Sequence, residues 1–131
     1  MRFLIVEDEL TSQQILSEIL EPYGKCDVAS NGIDGIKLFE EASKSENPYQ
    51  LVCMDIMMPG LDGQQALTRI REIEKDNGVR GPQKVRVVMT TALEDQKNVI
   101  EAFYKGGASA YMVKPIDKQQ FMKEIAKLGV I

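Results

Sequence analysis

The chain has 131 residues, 44% hydrophobic and 27% charged, and its 16 Lys+Arg against 20 Asp+Glu give a net charge of −4. This length fits one globular domain of roughly 100–200 residues, and the acidic balance argues against direct DNA binding, which requires neutralised phosphates. The absence of histidine excludes Ser-His-Asp and Cys-His nucleophile pairs, His-ligated zinc or haem, and a phosphohistidine carried by this chain.

Short apolar runs alternate with longer amphipathic segments. Arg2–Val6 predicts the first strand, and Leu10–Leu20 a helix with Leu10, Ile15, Leu16, Ile19 and Leu20 near one face, closed by Pro22 and Gly24. Cys26–Ala29 is the second strand; the second helix starts after the capping residue Asn31 and carries Ile33, Ile36, Leu38 and Phe39. Leu51–Met54 is the third strand, followed by a helix from about Gly63 to Asn77-Gly78 with Ala66, Leu67, Ile70 and Ile73 inward. A polar loop, Gly78–Lys84, leads to the fourth strand, Val85–Thr90, and a helix over about Glu94–Lys105 stopped by Gly106-Gly107. Ala110–Val113 is the fifth strand, and the fifth helix begins near Lys118. No apolar run approaches the roughly 20 residues of a membrane span, and none has the pattern of a signal peptide. Cys26 and Cys53 are expected as reduced, buried thiols, and the cytoplasm as the compartment.

Five strand–helix units imply one α/β domain over 1–131, a parallel sheet with helices on both faces. In such sheets ligands sit beyond the carboxyl ends of the strands. The residues there are Glu7-Asp8-Glu9, Asp55, Thr90-Thr91-Ala92 and Lys114-Pro115. Two carboxylates within about 4 Å repel by on the order of 4 kcal/mol at an effective dielectric near 20, so this set calls for a proton or a cation. A hard divalent ion such as Mg²⁺ suits oxygen ligands and leaves room for a phosphate oxygen. Asp55 is then a candidate carboxylate nucleophile, with Lys114 and Thr91 as donors to a phosphoryl group. One of Thr90 and Thr91 is expected to be an ordinary β-branched strand residue. Neither GxGxxG nor GxxxxGK[ST] occurs, so nucleotide binding is not indicated.

The arrangement Val6-Glu7-Asp8-Glu9, Met54-Asp55-Ile56-Met57-Met58-Pro59-Gly60-Leu61-Asp62-Gly63, Met89-Thr90-Thr91-Ala92 and Tyr111-Met112-Val113-Lys114-Pro115 resembles the response-regulator receiver domain of two-component signalling, the CheY-like family. The likeness covers essentially the whole chain. It implies a flavodoxin-like (βα)5 fold with strand order 2-1-3-4-5. Asp55 would accept a phosphoryl group from a histidine kinase or phosphotransfer protein. Mg²⁺, with Mn²⁺ as a substitute, would be held by Glu7, Asp8, Asp55 and the backbone carbonyl of Met57. Thr91 and Tyr111 match the switch pair and Lys114 the phosphate-contacting lysine. Pro59 and Gly63 match structural positions, and Lys114-Pro115 is expected to be cis. Glu7 replaces the commoner Asp. Met57 and Leu93 match positions that tune autodephosphorylation; being apolar, they cannot orient water, which implies a long-lived phosphoryl group.

The resulting expectation is a stand-alone receiver that catalyses only its own phosphorylation and dephosphorylation. It would signal to a downstream protein through the face of the fourth helix, fifth strand and fifth helix, with phosphorylation-dependent dimerisation as a further outcome. Two other classes fit part of the pattern. An unphosphorylated interaction module would share the fold. A Mg²⁺-dependent phosphohydrolase would use Asp55 on small phosphates, although Met57 stands where the haloacid-dehalogenase type has an Asp, and no cap domain is present.

Overall fold

The computed structural model describes residues 1–92 and 107–131. Strands β1 (Arg2–Val6), β2 (Lys25–Ala29), β3 (Leu51–Asp55), β4 (Arg86–Thr91) and β5 (Ala110–Val113) form one sheet in the order β2-β1-β3-β4-β5. All four neighbouring pairs are parallel. The helices among the described residues are α1 (Leu10–Leu20), α2 (Gly32–Ser43), α3 (Gly63–Asp76) and α4 (Lys118–Lys127). The fifth helix of the sequence reading is therefore α4; the fourth, about 94–105, lies outside the described residues.

Alternation along each central strand divides the core in two. Leu4, Val6, Val52, Met54, Val87 and Met89 face α2 and α3, where Phe39, Leu67, Ile70 and Ile73 cover them. Phe3, Ile5, Leu51, Cys53, Val88 and Met112 face α1 and α4, under Leu16, Ile19, Phe121 and Ile125. Each helix start except that of α1 has a side-chain cap. Asn31 accepts the Asp34 N–H at 2.8 Å, Asp62 and Gln65 form a reciprocal capping box, and Asp117 accepts the Gln120 N–H at 3.0 Å.

Four strand boundaries differ from the sequence reading. Lys25 joins β2 because its N–H reaches the Met1 carbonyl at 3.0 Å. β4 starts at Arg86 instead of Val85, whose N–H is taken by the buried carboxylate of Glu74 at 2.6 Å. Asp55 and Thr91 are the last residues of β3 and β4 and not loop residues, since the ladder continues through the Asp55/Thr90 and Thr91/Val113 pairs. Both therefore have strand-fixed backbones.

Candidate functional site

The ends of β1, β3 and β5 converge on one cleft of about 600 Å³, lined among others by Asp8, Glu9, Asp55, Met57, Ala92 and Lys114. Glu7 follows β1, and its N–H extends the ladder to the Ala29 carbonyl at 3.0 Å. Its side chain is thereby driven to the α1/α4 side and is fully buried. Asp8 is exposed at the mouth of the cleft. Gly63 lets α3 start directly against the end of β3: a Cβ there would collide with the Asp55 carbonyl and stand 2.8 Å from Ile56 Cα. Pro59 is exposed and precedes Gly60, whose φ of 77° is open to glycine at no steric cost. The Lys114-Pro115 bond is cis, and the Lys114 N–H bonds the Thr91 carbonyl at 2.7 Å.

Lys114 organises the charges. Its Nζ donates to Glu9 Oε1 at 2.9 Å, Glu7 Oε1 at 3.0 Å and Asp55 Oδ2 at 3.3 Å, which engages all three ammonium protons. The other oxygen of Asp55, Oδ1, accepts the Met57 N–H at 3.2 Å. Burial pushes Glu7 up to about 7 against the pull of the Lys114 hydrogen bond, with the Asp55 charge adding to the rise. Burial likewise raises Asp55 above the usual carboxylate range, opposed by Lys114. For Lys114 burial acts downward, but the hydrogen bonds to Glu9 and Glu7 prevail and hold it above the usual lysine range. The exposed Glu9 is lowered by its hydrogen bond to Lys114.

One ammonium does not balance this site. Glu7, Asp8 and Asp55 each present an oxygen within 4.8 Å of the others. Glu7 Oε2 is buried with no hydrogen-bond partner. An orphaned carboxylate oxygen beside two others is the donor set that a hard divalent cation takes.

The remaining predicted residues occupy a different side. Thr91 is fully buried, and its hydroxyl donates to the Ala92 carbonyl at 3.2 Å. By alternation from Val87 and Met89 it faces the α2/α3 side, opposite to Asp55. Tyr111 is in register with Met89, so it shares that face with Thr91, and it is 49% exposed. The Met57 side chain is exposed at the rim. Leu93 lies outside the described residues. The sheet thus brings Glu7, Asp8, Asp55 and Lys114 together and places Thr91 and Tyr111 as a pair on the other face. Glu9 is expected at this strand end from the sequence, but its bond to Lys114 is not. Its signal was being the third acid of a run at a strand end, with Lys114 at another of these strand ends.

The family model for the response regulator receiver domain matches residues 3–126. The chain is a response-regulator receiver domain. It is 33% identical over 129 residues to the chemotaxis protein CheY of Treponema pallidum, covering 97% of this chain and 81% of that protein. A 32% match over 135 residues to probable histidine kinase 2 of Oryza sativa subsp. indica covers 95% of this chain but 12% of that longer protein. Among solved structures, the receiver domain of Saccharomyces cerevisiae Ssk1, crystallised with the histidine phosphotransfer signalling protein Ypd1, is similar with a TM-score of 0.82. The two are 30% identical, over 98% of this chain and 88% of that one. The receiver is accordingly a CheY-like module of two-component signalling, with the five parallel strands of that fold. None of its described helices is long and apolar enough to cross a membrane.

Proposed function

We propose that this receiver is a phosphoryl-accepting switch in which Asp55 is the acceptor and a histidine kinase or phosphotransfer protein is the donor. The observation that carries this reading is the buried Asp55 carboxylate, held by Lys114 at 3.3 Å and by the Met57 N–H at 3.2 Å beside the oxygens of Glu7 and Asp8. An Asp55 oxygen attacks phosphorus, the P–N bond of the donor phosphohistidine breaks, and the donor imidazole keeps the electron pair. With no histidine in this sequence, the donor phosphohistidine lies outside these 131 residues. The similarity to a receiver solved with a phosphotransfer protein supports that class of donor.

Glu7, Asp8, Asp55 and the Met57 carbonyl would hold Mg²⁺, or Mn²⁺ in its place. When bound, it supplies the positive charge that offsets the incoming phosphoryl group. Lys114 exchanges a carboxylate partner for a phosphoryl oxygen, and the Thr91 hydroxyl leaves Ala92 for another. Tyr111, on the same face, takes up the space, and the β5 and α4 surface with the predicted fourth helix presents the new state to a downstream protein. The only reactions catalysed are the chain's own phosphorylation and dephosphorylation. Intact mass after incubation with acetyl phosphate and Mg²⁺ tests the proposal. One phosphoryl group is expected on the wild type and none on Asp55→Asn or in EDTA. An unmodified wild type would overturn the reading in favour of an interaction module.

A further inference from the structure

Among the described residues, two buried side-chain atoms have no hydrogen-bond partner, Glu7 Oε2 and Thr90 Oγ1. The first belongs to the cation site. The second has no role in the function described above, although Thr90 is only 1% exposed. Folded proteins satisfy the great majority of buried polar groups, so an isolated hydroxyl here requires an explanation. Its neighbour on β3 supplies one. Thr90 is the register partner of Asp55. Partnered residues of adjacent parallel strands project to the same face, with the strands about 4.8 Å apart. Cys53 and Val88, two residues before each, both pack into the α1/α4 core. Thr90 and Asp55 therefore stand side by side, and Thr91 faces the opposite way.

In the resting geometry the two Asp55 oxygens accept from Met57 and Lys114. Arrival of a phosphoryl group recruits the ammonium to new, more highly charged oxygens. The carbonyl oxygen of the phosphorylated Asp55 then loses a donor in a buried setting. Thr90 has a donor to spare, and a rotation about χ1 between staggered wells redirects it. We propose that Thr90 is a positioning residue whose hydroxyl hydrogen-bonds the Asp55 side chain in the phosphorylated state, a role distinct from that of Thr91. This inference rests on Asp55 being the acceptor. The hydroxyl forms and breaks no covalent bond; it acts because its hydrogen bond exists in one state and not in the other.

The sign of two measurements on Thr90→Val, which keeps the shape and removes the hydroxyl, separates this role from a structural one. The metal-free resting protein should be as stable as wild type or more so, since an unsatisfied polar atom has been removed. Affinity for beryllofluoride with Mg²⁺, a phosphoryl mimic, should fall about three- to tenfold, one hydrogen bond's worth. Thr90→Ser, which keeps the hydroxyl, should restore it. Wild-type affinity in Thr90→Val, or a loss of affinity matched by a loss of resting stability, overturns the inference while leaving Asp55 as acceptor. Wild type that binds no beryllofluoride and takes no phosphoryl group overturns both.

Discussion

Glu7 is a buried acid whose proton is retained to about pH 7. In the unfolded chain it ionises near 4.5, so between these values the native state holds more protons and stability falls as pH rises. This contribution favours the native state below pH 4.5 and is progressively lost up to about pH 7. Glu7→Gln removes it. In EDTA, the melting temperature of Glu7→Gln relative to wild type should rise between pH 5 and pH 8; a difference that stays flat with pH would contradict burial as the cause. Met57 acts differently. Its exposed apolar side chain stands two residues after the acceptor and cannot orient an attacking water. Met57→Asn should shorten the aspartyl-phosphate lifetime by about tenfold, short of the roughly 10²–10⁴ of a full general base. Loss of mass-detected phosphoryl group with time after removal of acetyl phosphate measures it.

At the scale of elements, α3 is tied to the sheet by charge as well as by apolar packing. Arg71 Nη1 meets Glu74 Oε1 at 2.6 Å and the Val85 carbonyl at 2.9 Å, and Arg71 Nη2 reaches the Gly107 carbonyl at 2.8 Å. Glu74 Oε2 takes the Val85 N–H at 2.6 Å, which is the contact that delays the start of β4. Glu74 is buried, so removing it strands a cation and a backbone donor together. Glu74→Ala should cost about 3 kcal/mol in urea unfolding, toward the lower end for broken buried pairs because Arg71 keeps some access to solvent. A cost below about 1 kcal/mol would rank the pair with surface salt bridges.

For the whole molecule, parallel topology puts the carboxyl ends of β1, β3, β4 and β5 at one edge, and that edge concentrates the acids Glu7, Asp8, Glu9 and Asp55 around the Lys114 ammonium. The cost of this concentration falls when a cation binds, so ligand and fold are linked. Mg²⁺ at about a hundred times its dissociation constant should stabilise the fold by about 2.7 kcal/mol, a rise of several degrees in melting temperature. Asp55→Asn should lose most of that rise. Differential scanning fluorimetry with and without Mg²⁺ checks both, and an equal rise in Asp55→Asn would place the cation elsewhere.

The sequence by itself determined the elements and their order, because apolar periodicity and capping residues such as Asn31 and Asp62 act locally. It also determined which residues stand at the strand ends, and their types already implied a cation and a phosphoryl group. Residues whose roles depend on partners distant in the chain were not legible. Glu9 shares an ammonium with Glu7 only because the Lys114 side chain, at the end of β5, reaches across the strand ends to the end of β1, 105 residues away. Glu74 diverts Val85 from the sheet through a side chain 11 residues earlier. The pairing of Thr90, and not Thr91, with Asp55 needed the register of β3 against β4, since one residue along a strand reverses the face. Local pattern names the groups; the tertiary structure decides which of them meet, and how far burial raises Glu7 and Asp55, because desolvation depends on everything packed around a charge.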